Sequence, residues 1–146
     1  MIWTALIAAA AAGAVDSHSV TLDHRGAPVA VRYQASTAIA HRQVGAVAAP
    51  GKPQTMRCLW TATVAVDRTA ERGDVPLPVL SRRVSTAKRL EGSRPGSCSQ
   101  VRAAVAREVA ARAVPIRAHL VEVAERDRGA VLAELESAAA LAGGRG

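Results

Sequence analysis

The sequence predicts an α+β fold in which an N-terminal antiparallel β-sheet of three to five strands is followed by a C-terminal pair of helices packed on one face. Residues 57–67 alternate between apolar and polar side chains, which is typical of a strand with one buried face. Residues 97–141 place apolar side chains at helical intervals instead. A Gly- and Pro-containing stretch at 92–96 separates the two patterns, so the strands come first and the helices follow.

The first strands are predicted from two short alternating runs, residues 20–22 and 29–33. The stretch 24–28, His-Arg-Gly-Ala-Pro, lies between them and is typical of a turn, so the two runs form a predicted β-hairpin. An Ala-rich run at 37–44 is a third predicted strand. The Pro- and Gly-rich stretch 48–53 is predicted to be a loop.

The clearest predicted strand spans residues 57–67. Its predicted inward face consists of Cys58, Trp60, Ala62, Val64 and Val66. Residues 69–78 are predicted to be a turn or loop, and residues 79–87 a weaker strand. We place that weaker strand at an edge of the sheet, because Arg82 and Arg83 would discourage pairing with another chain.

Two helices are predicted after the strands. Ser97 precedes Gln100 by three residues, which is the spacing of a capping box at a helix start. Pro115 should end or kink the first helix, and a second helix should run from Pro115 or Ile116 to about Leu141. Two pairs four residues apart should support the helices through opposite charges: Glu108 with Arg112, and Glu122 with Arg126.

The N-terminus predicts export. Residues 1–14 contain an uncharged apolar run that ends in the small-residue pattern Ala12-Gly13-Ala14, which is typical of a signal peptide. The run is shorter than the roughly 20 residues that a membrane-spanning helix needs. We therefore expect a signal peptide at 1–14, one folded domain at 15–142 and a frayed tail at 143–146. We expect no transmembrane helix after leader removal, and a periplasmic or secreted location. The alternative is a buried N-terminal helix in a cytosolic protein.

The only two cysteines, Cys58 and Cys98, are predicted to form a disulfide, as expected in an oxidising compartment. Cys98 falls in the first turn of the predicted first helix, so the bond would fix helix to sheet. Two alternatives are a pair of buried free thiols and a redox pair, although the long spacing lacks the short motif that tunes a reactive thiolate.

The chain carries a formal net charge of +7. This charge is consistent either with genomic composition alone or with attraction to an anionic partner, such as an envelope surface or a protein. The densest basic stretch, the possible anionic-partner patch, consists of Arg82, Arg83, Lys88, Arg89 and Arg94. Nucleic acid is a poor fit, because aromatic residues make up only 2% of the chain and bases need stacking platforms.

No catalytic, metal-ligating or cofactor-binding motif stands out, so no catalytic residue, metal or cofactor is predicted. The leading hypothesis is a non-enzymatic binding or interaction module of the envelope or the secreted fraction. One alternative is a small periplasmic enzyme that uses His24, His41 or His119, which requires a pocket where one of them meets a second polar group. The other alternative is a homo-oligomeric structural subunit of the envelope.

Overall fold

The structure, a computed structural model, describes residues 14–46, 48–53 and 55–144. These residues form an antiparallel β-sheet of five strands followed by two helices, which confirms the predicted α+β class. The predicted signal peptide lies outside the described residues except for Ala14, which begins the first strand. Of the predicted tail, Gly143 ends the last helix and Gly144 follows it, while residues 145–146 lie outside the description.

The sheet is built around one long central strand. The strands are β1 (Ala14–His24), β2 (Ala27–Val44), β3 (Arg57–Arg72), β4 (Val75–Pro76) and β5 (Arg82–Pro95). β3 pairs with β2 along one side and with β4 and β5 along the other, while β1 pairs with β2. The turn between β1 and β2 has positive φ at Arg25 (54°) and Gly26 (77°), the backbone of a type I′ hairpin, so the predicted hairpin is confirmed.

The strands are longer than the sequence patterns indicate. The predicted third strand at 37–44 is the second half of β2, because β2 pairs with β3 from Val29 to Val44 without a break. β3 continues to Arg72, so the predicted loop at 69–78 is partly strand. β5 spans 82–95 rather than 79–87, and residues 78–80 form a 3-10 turn.

Gly92 allows β5 to continue beneath a large aromatic ring. A Cβ atom at this position would lie 2.4 Å from Cζ2 of Trp60, which is paired with Gly92 across the strands. The glycine is therefore an internal strand residue that leaves room for the ring, so β5 continues through most of the 92–96 stretch that separates the two sequence patterns.

The helices are α1 (Cys98–Ala110) and α2 (Ala113–Gly143). The predicted capping box is confirmed, because the Ser97 hydroxyl accepts from the Gln100 N–H while the Gln100 side chain accepts from the Ser97 N–H. Pro115 lies in the first turn of α2, where a missing N–H costs nothing. Both predicted helical ion pairs form, Arg112–Glu108 at 3.5 Å and Arg126–Glu122 at 3.2 Å.

Both helices cover the same face of the sheet. The predicted inward face of β3 is buried in full, and each helix contributes buried apolar side chains to the same core. The main core side chains are Val29, Val31, Tyr33, Trp60, Ala62, Val64, Val66, Leu90, Val105, Val109, Ile116, Leu120, Val123, Val131 and Leu135. A disulfide joins Cys58 in β3 to Cys98 at the start of α1, as predicted, and so fixes helix to sheet.

Candidate functional site

All residues of the possible anionic-partner patch lie on β5, but they do not share a face. Arg82 contacts Glu134 of α2 (2.7 Å) and Arg94 contacts Glu108 of α1 (3.1 Å), both on the helix side. Arg83 pairs instead with Asp67 (3.0 Å) on the opposite side of the sheet. Successive strand residues point to opposite faces, so a basic run in sequence becomes two separate sets of cations.

Lys88 and Arg89 differ from the other three basic residues of β5. Neither forms an ion pair with a carboxylate among the described residues. Lys88 is half-buried on the helix side of the sheet, whereas Arg89 is exposed. The uncompensated positive charge of this strand is therefore concentrated at its middle.

β5 forms one long edge of the sheet and is irregular near its middle. Its only strand partner among the described residues is β3, so its outer side lacks a paired strand there. Val64 of β3 is paired with Lys88 of β5, and Asp67 is paired with Arg83. Between these two pairs β3 spans three residue steps and β5 spans five, so β5 contains two extra residues. Such bulges bend a strand and re-aim its side chains, and they are enriched beside functional sites.

The bulged segment forms one wall of a groove of about 500 Å³. Four consecutive β5 residues, Val84–Ala87, line one side, and Val123, Arg126 and Asp127 of α2 line the other. Val84 is half-buried and Val123 is almost fully buried, so of these two valines it is Val84 that exposes apolar surface to the groove. The polar and charged lining residues are Ser85, Thr86, Arg126 and Asp127. We call this space the β5–α2 groove.

The base of the β5–α2 groove rests on a buried ionic network centred on Arg68, which is only 1% exposed. Its Nη1 donates to Oδ2 of Asp127 (2.7 Å), its Nη2 donates to Glu134, and its Nε donates to the Leu80 carbonyl (2.8 Å). The Tyr33 hydroxyl also donates to Asp127 (2.8 Å), and burial together with this bond raises the pKa of Tyr33. Asp127 is therefore already neutralised where it lines the groove.

Sequence reasoning missed this network, although two signals point to it. Arg68 continues the two-residue period of the inward face of β3, which places a charged residue inside. Asp127 and Glu134 are seven residues apart on α2, which puts both carboxylates on one helix face. A buried arginine requires such partners.

Comparison with known proteins adds no functional information. No protein-family profile, curated protein or solved structure matches this chain. In the part of the chain that the structure describes, no helix combines the length and apolar character needed to cross a bilayer. Within the same residues, no three His, Cys, Asp or Glu side chains are grouped so that they could hold a metal ion.

The three histidines of the enzyme hypothesis lie at three separate places. Nε2 of His119, on α2, is 3.5 Å from the Ser85 hydroxyl, which accepts from the Ala87 N–H (3.3 Å). Nε2 of His24 is 2.6 Å from Oε1 of Glu136. His41 lies opposite Trp60 in the β2–β3 pairing, and its Nε2 has no partner among the described residues.

The Ser85–His119 pair is incomplete as a nucleophile site. The contact is longer than a normal hydrogen bond, and no carboxylate of the described residues bonds the other ring nitrogen. An activated serine needs a base that a third group orients. His24 does have a carboxylate partner, but no described serine or cysteine side chain bonds its ring.

Histidine burial predicts a loss of stability in mild acid. Desolvation lowers the pKa of both His119 and His41 from the ordinary value of 6.5; for His119 the attraction of Glu122 opposes the shift, while Lys88 and Arg126 add to it. The unfolded chain then binds more protons than the folded chain as the pH falls below about 6.5. The free energy of unfolding should therefore decrease over that range.

Urea unfolding of the wild type and of His119→Gln at several pH values between about 7 and 5 measures this effect. The variant should lose less stability than the wild type as the pH falls, because Gln cannot take up a proton. The carboxyl of Glu136, whose pKa is lowered by hydrogen bonds from Arg25 and His24, contributes only at a lower pH. Parallel stability curves for the two proteins would contradict the prediction.

Proposed function

We propose that this chain is an exported, non-enzymatic binding module that holds a short, extended, acidic segment of a partner protein along the free edge of β5. One observation carries the proposal: Val84–Ala87, four consecutive residues of an edge strand, form a wall of the β5–α2 groove. An extended segment that adds to such an edge pairs its backbone with the strand, and its alternate side chains enter the groove. Both bulges lie within the Val84–Ala87 segment, between Arg83 and Lys88, so regular backbone pairing with the partner is limited to the residues of β5 that flank them.

The side chains that line the groove favour a partner segment in which one apolar residue is flanked by acidic residues. Val84, which is half-buried, offers an apolar surface for one inward side chain of the partner segment, opposite Val123 of α2. Lys88 and Arg89 supply positive charge next to the bulged segment, without a carboxylate partner among the described residues. Complementary charge at the rim of a binding site favours association and sets which partners are accepted.

A protein segment fits these observations better than a membrane or polyanion surface. A flat anionic surface needs several cations that face it together. On β5 the cations are divided between the two faces of the sheet, and Arg82, Arg83 and Arg94 are already paired with carboxylates. A narrow groove with a strand wall and a helix wall suits one extended chain.

Export is part of the proposal, and two observations support it. The disulfide between Cys58 and Cys98 is of the kind that persists in oxidising compartments such as the periplasm or the cell exterior. The apolar pattern of residues 1–14 is typical of a cleaved signal peptide. Mass spectrometry of the native protein tests the cleavage directly.

The binding proposal is tested with a displayed library of random ten-residue peptides selected on the domain. We expect the selected peptides to carry Asp or Glu on both sides of a β-branched or other apolar residue. Replacing both Lys88 and Arg89 by Glu should weaken their binding by about five- to thirtyfold, since each rim ion pair contributes roughly 0.5–1 kcal/mol. Arg32→Glu, an exposed site on β2, is the matched control and should leave binding almost unchanged.

Backbone pairing is tested separately with N-methylated versions of a selected peptide. Methylation of alternate backbone nitrogens on the paired side should abolish binding, while methylation of the other nitrogens should be tolerated, because an added strand bonds through one side only. Two results would refute the proposal: equal binding by both methylated forms, or selected peptides without acidic residues. A third result would also refute it: the domain binds no peptide but is retained on heparin or anionic vesicles, and this retention is lost at high salt or when Lys88 and Arg89 are replaced. The two basic residues would then recognise an anionic surface instead of a protein segment.

A further inference from the structure

A second concave site lies near the C-terminal end of α2, beside the ends of β1 and β3 and the segment that precedes β5. It is an apolar cleft of about 180 Å³. We call it the Arg72 cleft. Its apolar walls are formed by Leu77, Val79 and Leu80 before β5 and by Leu135, Ala138 and Ala142 of α2.

One end of the Arg72 cleft is polar and held in place by a chain of hydrogen bonds. The Nη2 of Arg72 lies 3.1 Å from Nδ1 of His24, and Nε2 of His24 lies 2.6 Å from Oε1 of Glu136. Because a guanidinium can only donate, Nδ1 must accept and Nε2 must carry the proton given to Glu136. His24 is 6% exposed, so its ring is a fixed support for Arg72.

Arg72 retains an uncompensated charge in this arrangement. Its hydrogen-bond partner is a neutral ring nitrogen, and no described carboxylate lies within ion-pair distance of it. The nearby carboxylate of Glu136 is occupied instead by His24 and by Arg25, whose Nη2 is 3.0 Å from Oε2. A guanidinium in this state has donors available for an anion, and a carboxylate matches its planar fork.

We propose that the Arg72 cleft binds a small monocarboxylic acid, with its carboxylate on Arg72 and its apolar part between the 77–80 turn and α2. The volume sets the size of that apolar part. A cleft of about 180 Å³ equals the liquid volume of about six water molecules, which suits a group of roughly six non-hydrogen atoms. The side chain of Val79, which lines the cleft, is 72% exposed, so a ligand would cover an apolar surface that is now open to water.

The test uses straight-chain n-alkanoates from propanoate to dodecanoate, titrated against the whole domain and followed by NMR shifts and calorimetry. Affinity should rise with chain length and level off near hexanoate to octanoate, where the cleft is filled. Hexanol, hexanamide and hexylamine should bind at least about tenfold more weakly than hexanoate, since they cannot form the charge-assisted pair. These four ligands are compared on the wild-type protein, so the result does not depend on any variant folding.

Arg72→Gln should reduce hexanoate affinity by about tenfold or more, and Arg72→Lys should restore part of it. Arg32→Gln, an exposed arginine elsewhere on the sheet, is the matched control. Equal binding of hexanoate and hexylamine, affinity that keeps rising to dodecanoate, or unchanged affinity in Arg72→Gln would overturn the proposal. Acidic peptides should bind Arg72→Gln as tightly as they bind the wild type. Loss of alkanoate binding therefore tests the Arg72 cleft alone, and loss of peptide binding tests the β5–α2 groove alone.

Discussion

Removal of the disulfide should lower the free energy of unfolding by about 4 kcal/mol. Cys58 and Cys98 are 40 residues apart, and closing a loop of that length restricts the unfolded chain by about this amount in the chain-entropy model. The bond joins the central strand to the first residue of α1, so without it the helix is held by packing alone. The core offers little compensation, because it has no Phe and relies largely on Val, Leu and Ala.

Equilibrium unfolding of the wild type, with and without reductant, and of a Cys58→Ala/Cys98→Ala variant measures this loss. The reduced wild type retains both side chains and reports the cross-link itself. The double variant adds the cost of a small cavity, because Cys58 is fully buried. A reduced wild type that loses less than about 1 kcal/mol would show that the cross-link is dispensable.

Replacing Arg68 by Met should destabilise the fold by about 3–5 kcal/mol. The guanidinium is almost fully buried and bonds Asp127 and Glu134 of α2 together with the Leu80 carbonyl. A Met side chain fills similar space but leaves Asp127 without its cation and leaves Glu134 with only the exposed Arg82. That loss is larger than the modest net contribution of an intact buried pair, because an unpaired buried charge keeps its full desolvation cost.

The matched control is Arg82→Met, which removes the exposed arginine bonded to the same Glu134. It should cost less than about 1 kcal/mol, because an exposed ion pair is screened by water. Equal losses for the two variants would contradict the assignment of Arg68 as the centre of the network.

The strand patterns were readable where one face is strongly apolar and unreadable where small residues dominate. The period-two pattern at 57–67 identifies β3 and its buried face correctly. The second half of β2 is Ala-rich, so its alternation is weak, and only pairing with β3 defines it as a continuation of the same strand. The apparent stop at Gly92 is likewise explained by packing, since the glycine makes room for Trp60.

The candidate sites could not be predicted from the sequence alone, because they are formed by residues that lie far apart along the chain. Lys88 and Arg89 were found because basic residues cluster locally, but their difference from Arg82, Arg83 and Arg94 depends on which carboxylates the fold brings close. The Arg72 cleft joins residues more than sixty positions apart, and no local pattern marks it. The bulges that shape the β5–α2 groove are likewise a property of the pairing of two strands.

By itself, the sequence determined the α+β class, the capped start of α1, the edge position of the basic strand and the cysteine pair. Each of these depends on local periodicity, on a short spacing or on the composition of one segment. Only the tertiary structure decided which charges are neutralised, which backbone edge borders a groove and which arginine faces an apolar cleft. Those properties depend on the distance between side chains on different elements and on their exposure to water, and both arise only when the sheet and the helices pack together.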